Sequence, residues 1–269
     1  MDIGEFKFKP LLAHTFDGTN CDYSGWLMSE KLDGVRCIFF NDKLYSRTGH
    51  VIHAPAWFIQ EIRVDNTKML DGELFTKRGQ FQSICSIVKK DKPIDTEWEN
   101  IVYMVFDIPL EKELVFSERY DKMVRIIQNH HRIQVVPHEY VQNMAHVESF
   151  LQEIINMNGE GVMLRDPHSY YEQKRSKTLV KYKKFMDDDA VITGFEYGKG
   201  KYSKSIGKFL VKWVNPSKPI TFKVGSGMDD NIRNTPNPTS LIGKIIKVKY
   251  YSTTVLGKPR FPIFIGFRE

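Results

Sequence analysis

The chain has 269 residues, 41% hydrophobic and 27% charged, and carries a formal net charge of +6. This composition is typical of a globular protein with one large domain or two smaller ones, and the positive charge suits a polyanionic partner. No run of about 18 apolar residues occurs, so no membrane-spanning helix is expected. The three cysteines form no C-x-x-C pair, which argues against a zinc site or a disulfide framework.

Strand and helix patterns alternate through the first 186 residues. Residues 36–46 are a predicted hairpin in which Asn41 and Asp42 form the turn between two apolar runs. The remaining predictions, in chain order, are a helix at 54–62, a strand at 69–75, a helix at 81–89, a strand at 101–108, a helix at 117–127, a strand at 133–136, a helix at 144–157, and strands at 160–165 and 179–185.

The helix predicted near residue 117 has an amphipathic pattern. Ser117 is a plausible N-cap, because its hydroxyl can accept a hydrogen bond from a free amide of the first turn. Tyr120, Val124 and Ile127 fall on one face at helical spacing, so we expect that face to point toward the core.

The sequence pattern changes after Phe185. Asp187-Asp188-Asp189 is predicted as a hinge, and helical periodicity is almost absent beyond it. A basic loop at 199–208 is a candidate for contact with nucleic acid. Five short strands suit a small β-barrel, and the OB-fold is the commonest nucleic-acid-binding example of that class. They are predicted at 190–195, 208–214, 220–224, 245–251 and 261–267.

The most informative short motif is Glu-Lys-Leu-Asp-Gly-Val-Arg at residues 30–36. Lys31 is a potential nucleophile, Arg36 is a potential clamp for a phosphate, and Asp33-Gly34 forms a tight turn that brings the two together. The alternative is an ordinary surface hairpin, because Lys-x-Asp-Gly strings are common. The motif therefore needs partners elsewhere in the chain.

Five further strings follow Lys31 in a defined order, each weak alone but together hard to explain by chance. Lys181 and Lys183 alternate with their neighbours on a predicted strand, so both project from one face and can converge on a phosphate. The strings are Ser46-Arg47-Thr48-Gly49, Asp71-Gly72-Glu73, Val105-Phe106-Asp107, Glu160-Gly161-Val162-Met163 and Leu179-Val180-Lys181-Tyr182-Lys183.

This ordered set closely resembles the nucleotidyltransferase motifs of ATP-dependent DNA ligases, and above all the minimal two-domain ligases of viruses and bacteria, some of them periplasmic. The resemblance covers nearly the whole chain, including residues 259–268. It implies an α+β protein with an ATP-grasp-like nucleotidyltransferase (adenylation) domain at 1–186 and an OB-fold β-barrel domain at 187–269. It also implies a monomer whose substrates are ATP and nicked double-stranded DNA and which does not associate with a membrane.

The chemistry that the resemblance implies begins at Lys31, which attacks the α-phosphate of ATP, forms lysyl-AMP and releases pyrophosphate. A lysine is protonated at pH 7, so the site has to favour its neutral form, and nearby positive charge does so. Lys181 and Lys183 supply cations for the charge that develops on the phosphate. AMP then passes to the 5′-phosphate of a nick, and the 3′-hydroxyl displaces it.

The resemblance also implies roles for residues around the nucleotide. Glu73 holds the ribose hydroxyl, Phe106 stacks on adenine, and Arg47 contacts a phosphate. Glu160 is the expected ligand of Mg²⁺ (or Mn²⁺), with Asp33 as a second predicted metal ligand. The predicted nucleotide contacts further include Glu30, Arg36, Arg260 and Arg268.

Two alternatives stay open. RNA ligases and mRNA-capping guanylyltransferases share the lysine chemistry, but Arg36 favours a DNA ligase because RNA ligases more often have asparagine there. Capping enzymes carry a Trp-rich terminal motif, whereas Trp213 is the only tryptophan after Trp98. An inactive nucleic-acid-binding relative would have no use for Lys31.

The second domain departs from many ligases in two ways. The Arg-x-Asp-Lys motif that orients the pyrophosphate in many ligases is absent from residues 187–269. Arg260 and Arg268 lie where the small viral ligases carry equivalent arginines, and the resemblance assigns that role to them. No segment is long enough for the DNA-encircling latch of some viral ligases. We expect an intracellular location, in a cytoplasm or a virus-infected nucleus, because the N-terminus has no apolar secretory stretch. A periplasmic location stays open if the chain is a mature form.

Overall fold

In a computed structural model of the chain, the described residues are 6–18, 21–127, 131–215, 217, 220–254 and 256–268. The side chain of Lys201, in the predicted basic loop, lies outside this description. The chain forms two compact units, Met1–Lys183 and Lys184–Glu269. No helix in the described ranges is both long enough and apolar enough to cross a membrane.

In its described residues, the first unit combines two β-sheets with five helices of varied length. The order of strands and helices follows the alternation predicted from the sequence, with additional short strands at 12–15, 27–30, 51–52 and 139–140 and an additional short helix at 95–98. Its elements are β1 (Leu12–Thr15), β2 (Leu27–Glu30), β3 (Val35–Phe40), β4 (Lys43–Ser46), β5 (Val51–Ile52), α1 (Ala56–Glu61), β6 (Met69–Phe75), α2 (Phe81–Val88), α3 (Asp95–Trp98), β7 (Val102–Asp107), α4 (Phe116–Ile126), β8 (Ile133–Val135), β9 (Glu139–Tyr140), α5 (Met144–Asn156), β10 (Val162–Arg165) and β11 (Arg175–Tyr182).

The strands pair in two sheets, each with its own hydrophobic core. The first sheet has the order β1-β11-β10-β2-β9, and the second has the order β5-β4-β3-β6-β7-β8. Helix α5 packs on the first sheet through Val147, Leu151 and Ile154, which recur at helical spacing. Phe58 and Trp98 are fully buried in the core of the second sheet, and each such side chain contributes roughly 1.5–3 kcal/mol.

The hairpin predicted at 36–46 is confirmed. Strands β3 and β4 pair antiparallel, with Phe40 opposite Lys43. Asn41 and Asp42 have φ angles of 48° and 58°, the left-handed conformation that a two-residue turn needs and that these two residue types tolerate well.

Two predictions about helix α4 are wrong. The N-cap is Val115, whose amide donates to Glu118 Oε2 over 2.9 Å, so Ser117 already lies inside the first turn. Val124 is 46% exposed. Ile127 is 4% exposed and Tyr120 packs against the core, as predicted, but Phe116, Arg119 and Met123 are also buried, because a buried ion pair draws Arg119 inward.

The second unit is built on one five-stranded antiparallel sheet with the order β14-β13-β12-β15-β18. Its two edges meet at a single bridge between Ser226 and Ile263, so the OB-like barrel is only partly closed. Its elements are β12 (Met186–Tyr197), β13 (Ile206–Trp213), β14 (Thr221–Val224), α6 (Asp230–Arg233), β15 (Ile245–Tyr250), β16 (Ser252–Thr253), β17 (Pro259–Arg260), β18 (Ile263–Phe267) and the 3-10 helices Gly200–Tyr202 and Pro238–Leu241.

The hinge predicted at Asp187-Asp188-Asp189 is wrong, because all three residues lie within strand β12. Asp187 pairs with Lys249 and Asp189 with Lys247 across to β15. Lys247 also forms an ion pair with Asp187, and Arg268 with Asp189 at 2.8 Å. Cross-strand charge pairing of this kind offsets the low β-propensity of aspartate.

Candidate active site

A cavity of about 250 Å³ lies in the first unit, between its two sheets. Strands β2 and β11 of the first sheet and strands β3, β6 and β7 of the second all contribute side chains to it. Of the predicted site residues, its lining contains Glu30, Lys31, Arg36, Arg47, Glu73, Phe106 and Lys181.

Lys31 lies at one end of the cavity, where it forms an ion pair with a carboxylate. It directly follows β2, and its amide donates to Gly161 O over 2.8 Å. Because β2 and β10 are neighbouring strands, this bond fixes Lys31 beside the residue that precedes Gly161. Lys31 Nζ is 2.5 Å from Glu160 Oε2, and Lys183 Nζ contacts the other oxygen of the same carboxylate.

Two lysines therefore share one half-buried carboxylate. Burial alone would raise the pKa of Glu160, but Lys31 and Lys183 outweigh burial and hold that pKa below its ordinary value. Burial lowers the pKa of Lys183, and the neighbouring charge of Lys31 lowers it further. The group carries an excess of positive charge, which suits a phosphate.

Lys181 adds a third cation to this end of the cavity. It lies on β11 opposite Met163 and projects into the cavity. Burial lowers its pKa, with further contributions from Arg175 and Lys31. Sequence alternation predicted that Lys181 and Lys183 would converge, and the structure places both close enough to Lys31 to influence its electrostatic environment.

Steric crowding explains why two of the motifs contain glycine. A Cβ on Gly161 would lie 2.4 Å from Tyr182 O, and its φ is +155°. A Cβ on Gly34 would lie 2.3 Å from Leu74 O. Such contacts leave no room for a side chain, so both glycines allow the backbone around Lys31 and Glu160 to pack closely.

Arg36 binds a buried aspartate inside the cavity. Its Nε and Nη2 each lie 2.6 Å from an oxygen of Asp71, and Nη2 also donates to Leu11 O over 3.2 Å. Tyr171 donates its hydroxyl proton to Asp71 over 2.6 Å. Burial alone would lower the pKa of Arg36. The Asp71 carboxylate outweighs burial and holds that pKa above its ordinary value. The guanidinium is therefore a permanent cation, held in place.

Glu73 and Phe106 flank this ion pair. Glu73 is opposite Arg36 in the register of β3 and β6, and the guanidinium carbon of Arg36 lies 4.6 Å from the centre of the Phe106 ring. Burial raises the pKa of Glu73 to about 7. Lys31 opposes this rise, whereas the carboxylate of Glu160 adds to it.

Sequence reasoning missed a buried ion cluster beside the cavity. Asp107 receives hydrogen bonds from Arg119 at 2.6 and 3.1 Å and from Arg165 at 3.3 Å. Asp107 belongs to the Val105-Phe106-Asp107 motif and Arg165 to the strand predicted at 160–165, but no local pattern identified their partner Arg119. His138 also lines the cavity, and it belongs to none of the sequence motifs described above.

The other predicted site residues lie in different surroundings. Glu30 is held by Arg78 through two hydrogen bonds of 2.8 and 2.7 Å. Arg47 is exposed at the cavity edge, whereas Asp33 is half-buried and is not part of the lining. Arg260 and Arg268 belong to the second unit.

The described residues do not form a metal site from protein ligands alone. Among the residues that the structure describes, no three His, Cys, Asp or Glu side chains converge in a metal-binding arrangement. This is compatible with Mg²⁺, which is commonly held by one or two carboxylates together with substrate phosphates.

Comparison with known proteins gives consistent results for both units. Residues 10–183 match the family model of the ATP dependent DNA ligase domain, and residues 197–268 match the DNA ligase OB-like domain. A DNA ligase of Haemophilus influenzae is 34% identical over 256 residues, which cover 94% of this chain and 90% of that protein. A DNA ligase of Methanosphaera stadtmanae is 26% identical, and the match covers 97% of this chain but 51% of that longer protein.

Solved structures show the same similarity. A structure from a study of DNA binding by Lig E DNA ligases superposes with a TM-score of 0.87 and 29% identity, covering 97% of this chain and 99% of that one. A Chlorella virus DNA ligase-adenylate superposes with a TM-score of 0.54 and 25% identity, covering 97% of this chain and 98% of that one.

Proposed function

Since the chain belongs to the ATP-dependent DNA ligase family, we propose that Lys31 is the residue on which it carries AMP while it seals nicks in duplex DNA. The observation that supports this most is the position of Lys31. It lies at one end of a cavity between two sheets, 2.5 Å from Glu160 and close to Lys181 and Lys183.

In the first step, Lys31 Nζ attacks the α-phosphorus of ATP. A nitrogen–phosphorus bond forms, the bond from phosphorus to the pyrophosphate oxygen breaks, and pyrophosphate leaves. Lys31 first has to lose its proton to solvent, because only the neutral amine is a nucleophile. Lys181 and Lys183 neutralise the charge that develops on the phosphate oxygens.

The remaining cavity residues hold the nucleoside. Glu73 binds a ribose hydroxyl, and Phe106 offers a ring face to the base. Arg36, fixed by Asp71, supplies a permanent positive charge beside both. Arg47 lies at the open edge, where it can meet the leaving phosphates. Glu30, which directly precedes Lys31 and lines the cavity, contributes a further contact to the nucleotide.

Mg²⁺ would be held by Glu160, with Asp33 as a second ligand and with phosphate oxygens completing its coordination. When bound, the ion supplies positive charge for the phosphates. Mg²⁺ would compete with Lys31 and Lys183 for the Glu160 carboxylate. The two lysines lower the pKa of Glu160 and so keep it ionised, which is the form that binds a metal ion.

In the later steps AMP passes from Lys31 to the 5′-phosphate of a nick, and the 3′-hydroxyl then displaces AMP as the strands join. The protein acts as a monomer that contacts duplex DNA through backbone phosphates, independently of sequence. Arg260 and Arg268 of the second unit orient the pyrophosphate in the first step.

A sealing assay tests this function and separates it from its rivals. The wild type should join a nicked DNA duplex with ATP, and the Lys31→Ala variant should not join it at all. The variant should still seal DNA that already carries a 5′-adenylate, because the third step does not use the lysine. Preference for a nicked RNA duplex, or reaction only with GTP, would contradict the proposal.

A further inference from the structure

The cavity is lined by a histidine, His138, to which the chemistry described so far gives no role. His138 directly precedes strand β9, which pairs antiparallel with β2, so that Leu27 is opposite Tyr140 and Met28 opposite Glu139. Continued by one residue, this register brings His138 opposite Ser29. Both side chains line the cavity.

This position is where a base would lie. Ser29 and Lys31 are two residues apart on an extended segment, so their side chains share a face at a separation of roughly 7 Å. A nucleotide whose phosphate meets Lys31, and whose ribose meets Glu73, therefore extends its base toward the pair formed by Ser29 and His138. This step rests on the proposed function, in which the cavity holds ATP.

The hydrogen bonds of His138 determine which ring nitrogen carries the proton. Nδ1 lies 2.8 Å from Val136 O, and a carbonyl oxygen only accepts, so Nδ1 donates. Within the part of the chain that the structure describes, Nε2 has no hydrogen-bond partner. The ring is packed edge-on against Phe116 and Tyr120, at centroid distances of 5.3 and 4.8 Å, so it cannot turn freely.

His138 is also neutral at physiological pH. Burial lowers its pKa to about 4, and the positive charge of Arg165 lowers it further, although Asp107 partly opposes this. With Nδ1 donating and the ring uncharged, Nε2 has a free lone pair and no proton. It can accept a hydrogen bond but cannot donate one.

We propose that His138 Nε2 accepts a hydrogen bond from the exocyclic amine of adenine and thereby selects ATP over purine nucleotides that have oxygen at that ring position. Guanine and hypoxanthine present a carbonyl oxygen there, and two acceptors facing each other cannot form a hydrogen bond. A site that binds an amine through a buried polar group discriminates against analogues that lack it.

The test compares two nucleotides in the full-length protein. The rate at which Lys31 is labelled at limiting nucleotide is measured with ATP and with purine riboside triphosphate, which lacks the exocyclic amine. In the wild type, ATP should be favoured roughly five- to tenfold, the size of one neutral hydrogen bond. Equal rates would overturn the proposal. Because this comparison uses only the wild type, its result does not depend on whether a variant folds.

Two variants localise the effect. His138→Phe keeps an aromatic ring but has no acceptor, so it should react with both nucleotides at the wild-type rate for the analogue. His138→Gln keeps an acceptor and should recover part of the preference for ATP. The control is His131→Gln, which alters an exposed histidine 3.3 Å from Glu61 and should retain the full preference.

The outcomes are distinguishable. A preference for ATP that persists in His138→Phe, or an equal loss with both nucleotides, would overturn the role of His138 and leave the ligase chemistry intact. Failure of every nucleotide to label Lys31 in the wild type would instead overturn the proposed function, and this inference with it.

Discussion

Glu73 shows, at the scale of one residue, how burial in the cavity changes the pKa of a side chain. A glutamate in solution titrates near pH 4.3, roughly, whereas burial raises the pKa of Glu73 to about 7. The folded state therefore binds a proton that the unfolded state has lost. Stability from this group is fully present below the unfolded pKa and is lost as pH rises toward 7.

The first prediction follows from this sign. Between about pH 5 and pH 7 the wild type should lose about 2–3 kcal/mol of unfolding free energy through Glu73 alone, and Glu73→Gln should not show this loss. Urea denaturation of both proteins at pH 5 and pH 8 measures the difference. Parallel pH profiles for the two proteins would show that Glu73 titrates normally in the folded state.

Some residues of the candidate site belong to patterns that are local in the sequence. Lys31 and Glu160 each belong to a short string whose glycine permits a close backbone approach, and that pattern can be read without a structure. Arg119 and His138 have no such string. Their roles depend on which distant side chains surround them, Asp107 in one case and the Val136 carbonyl in the other.

At the scale of elements, one buried network joins both sheets of the first unit. Arg36 on β3 binds Asp71 on β6, and Tyr171, in the segment between β10 and β11, donates to the same carboxylate. Tyr171 in turn accepts from the amide of Leu11, which precedes β1. The network fixes the two walls of the cavity relative to each other.

The second prediction concerns this network. Asp71→Asn leaves the Arg36 guanidinium buried without its counter-charge, and such a loss costs about 3–5 kcal/mol. Urea denaturation at pH 7 measures it. The matched control is Arg63→Ala, which breaks an ion pair with Asp42 whose two side chains are 56% and 53% exposed and should leave stability unchanged. Equal effects of the two substitutions would contradict a structural role for Asp71.

Element boundaries show where sequence patterns fail. The hairpin at 36–46 was predictable because its turn residues determine their own backbone conformation. The aspartates at 187–189 resembled a hinge because aspartate disfavours strands, yet lysines on a strand about 60 residues away stabilise them there. Val124 was misplaced for a similar reason, since a buried ion pair draws Arg119 of α4 inward.

At the scale of the whole molecule, the net charge of +6 favours association with a polyanion. Binding through backbone phosphates releases counterions and therefore weakens steeply with salt. Charge alone does not assign every lysine to DNA, because Lys208 and Lys223 both form ion pairs with Glu196.

The third prediction separates the two substrates by their response to salt. Affinity for a nicked duplex should fall at least roughly tenfold between about 50 and 200 mM salt. Formation of lysyl-AMP should change far less, because the half-buried charges of the cavity are poorly screened. Fluorescence anisotropy with labelled DNA and single-turnover labelling with ATP measure the two quantities. An equal salt response would indicate that the DNA contact is not electrostatic.

The central claim is that Lys31 is the covalent carrier of AMP. Intact-mass analysis and peptide mapping after incubation with ATP and Mg²⁺ test it, with Lys177→Ala as a control that alters an exposed lysine on the same strand as Lys181. We predict one AMP per chain on Lys31 in the wild type and in the control, and none in Lys31→Ala. AMP on a different residue, or an adduct that persists in Lys31→Ala, would contradict the account.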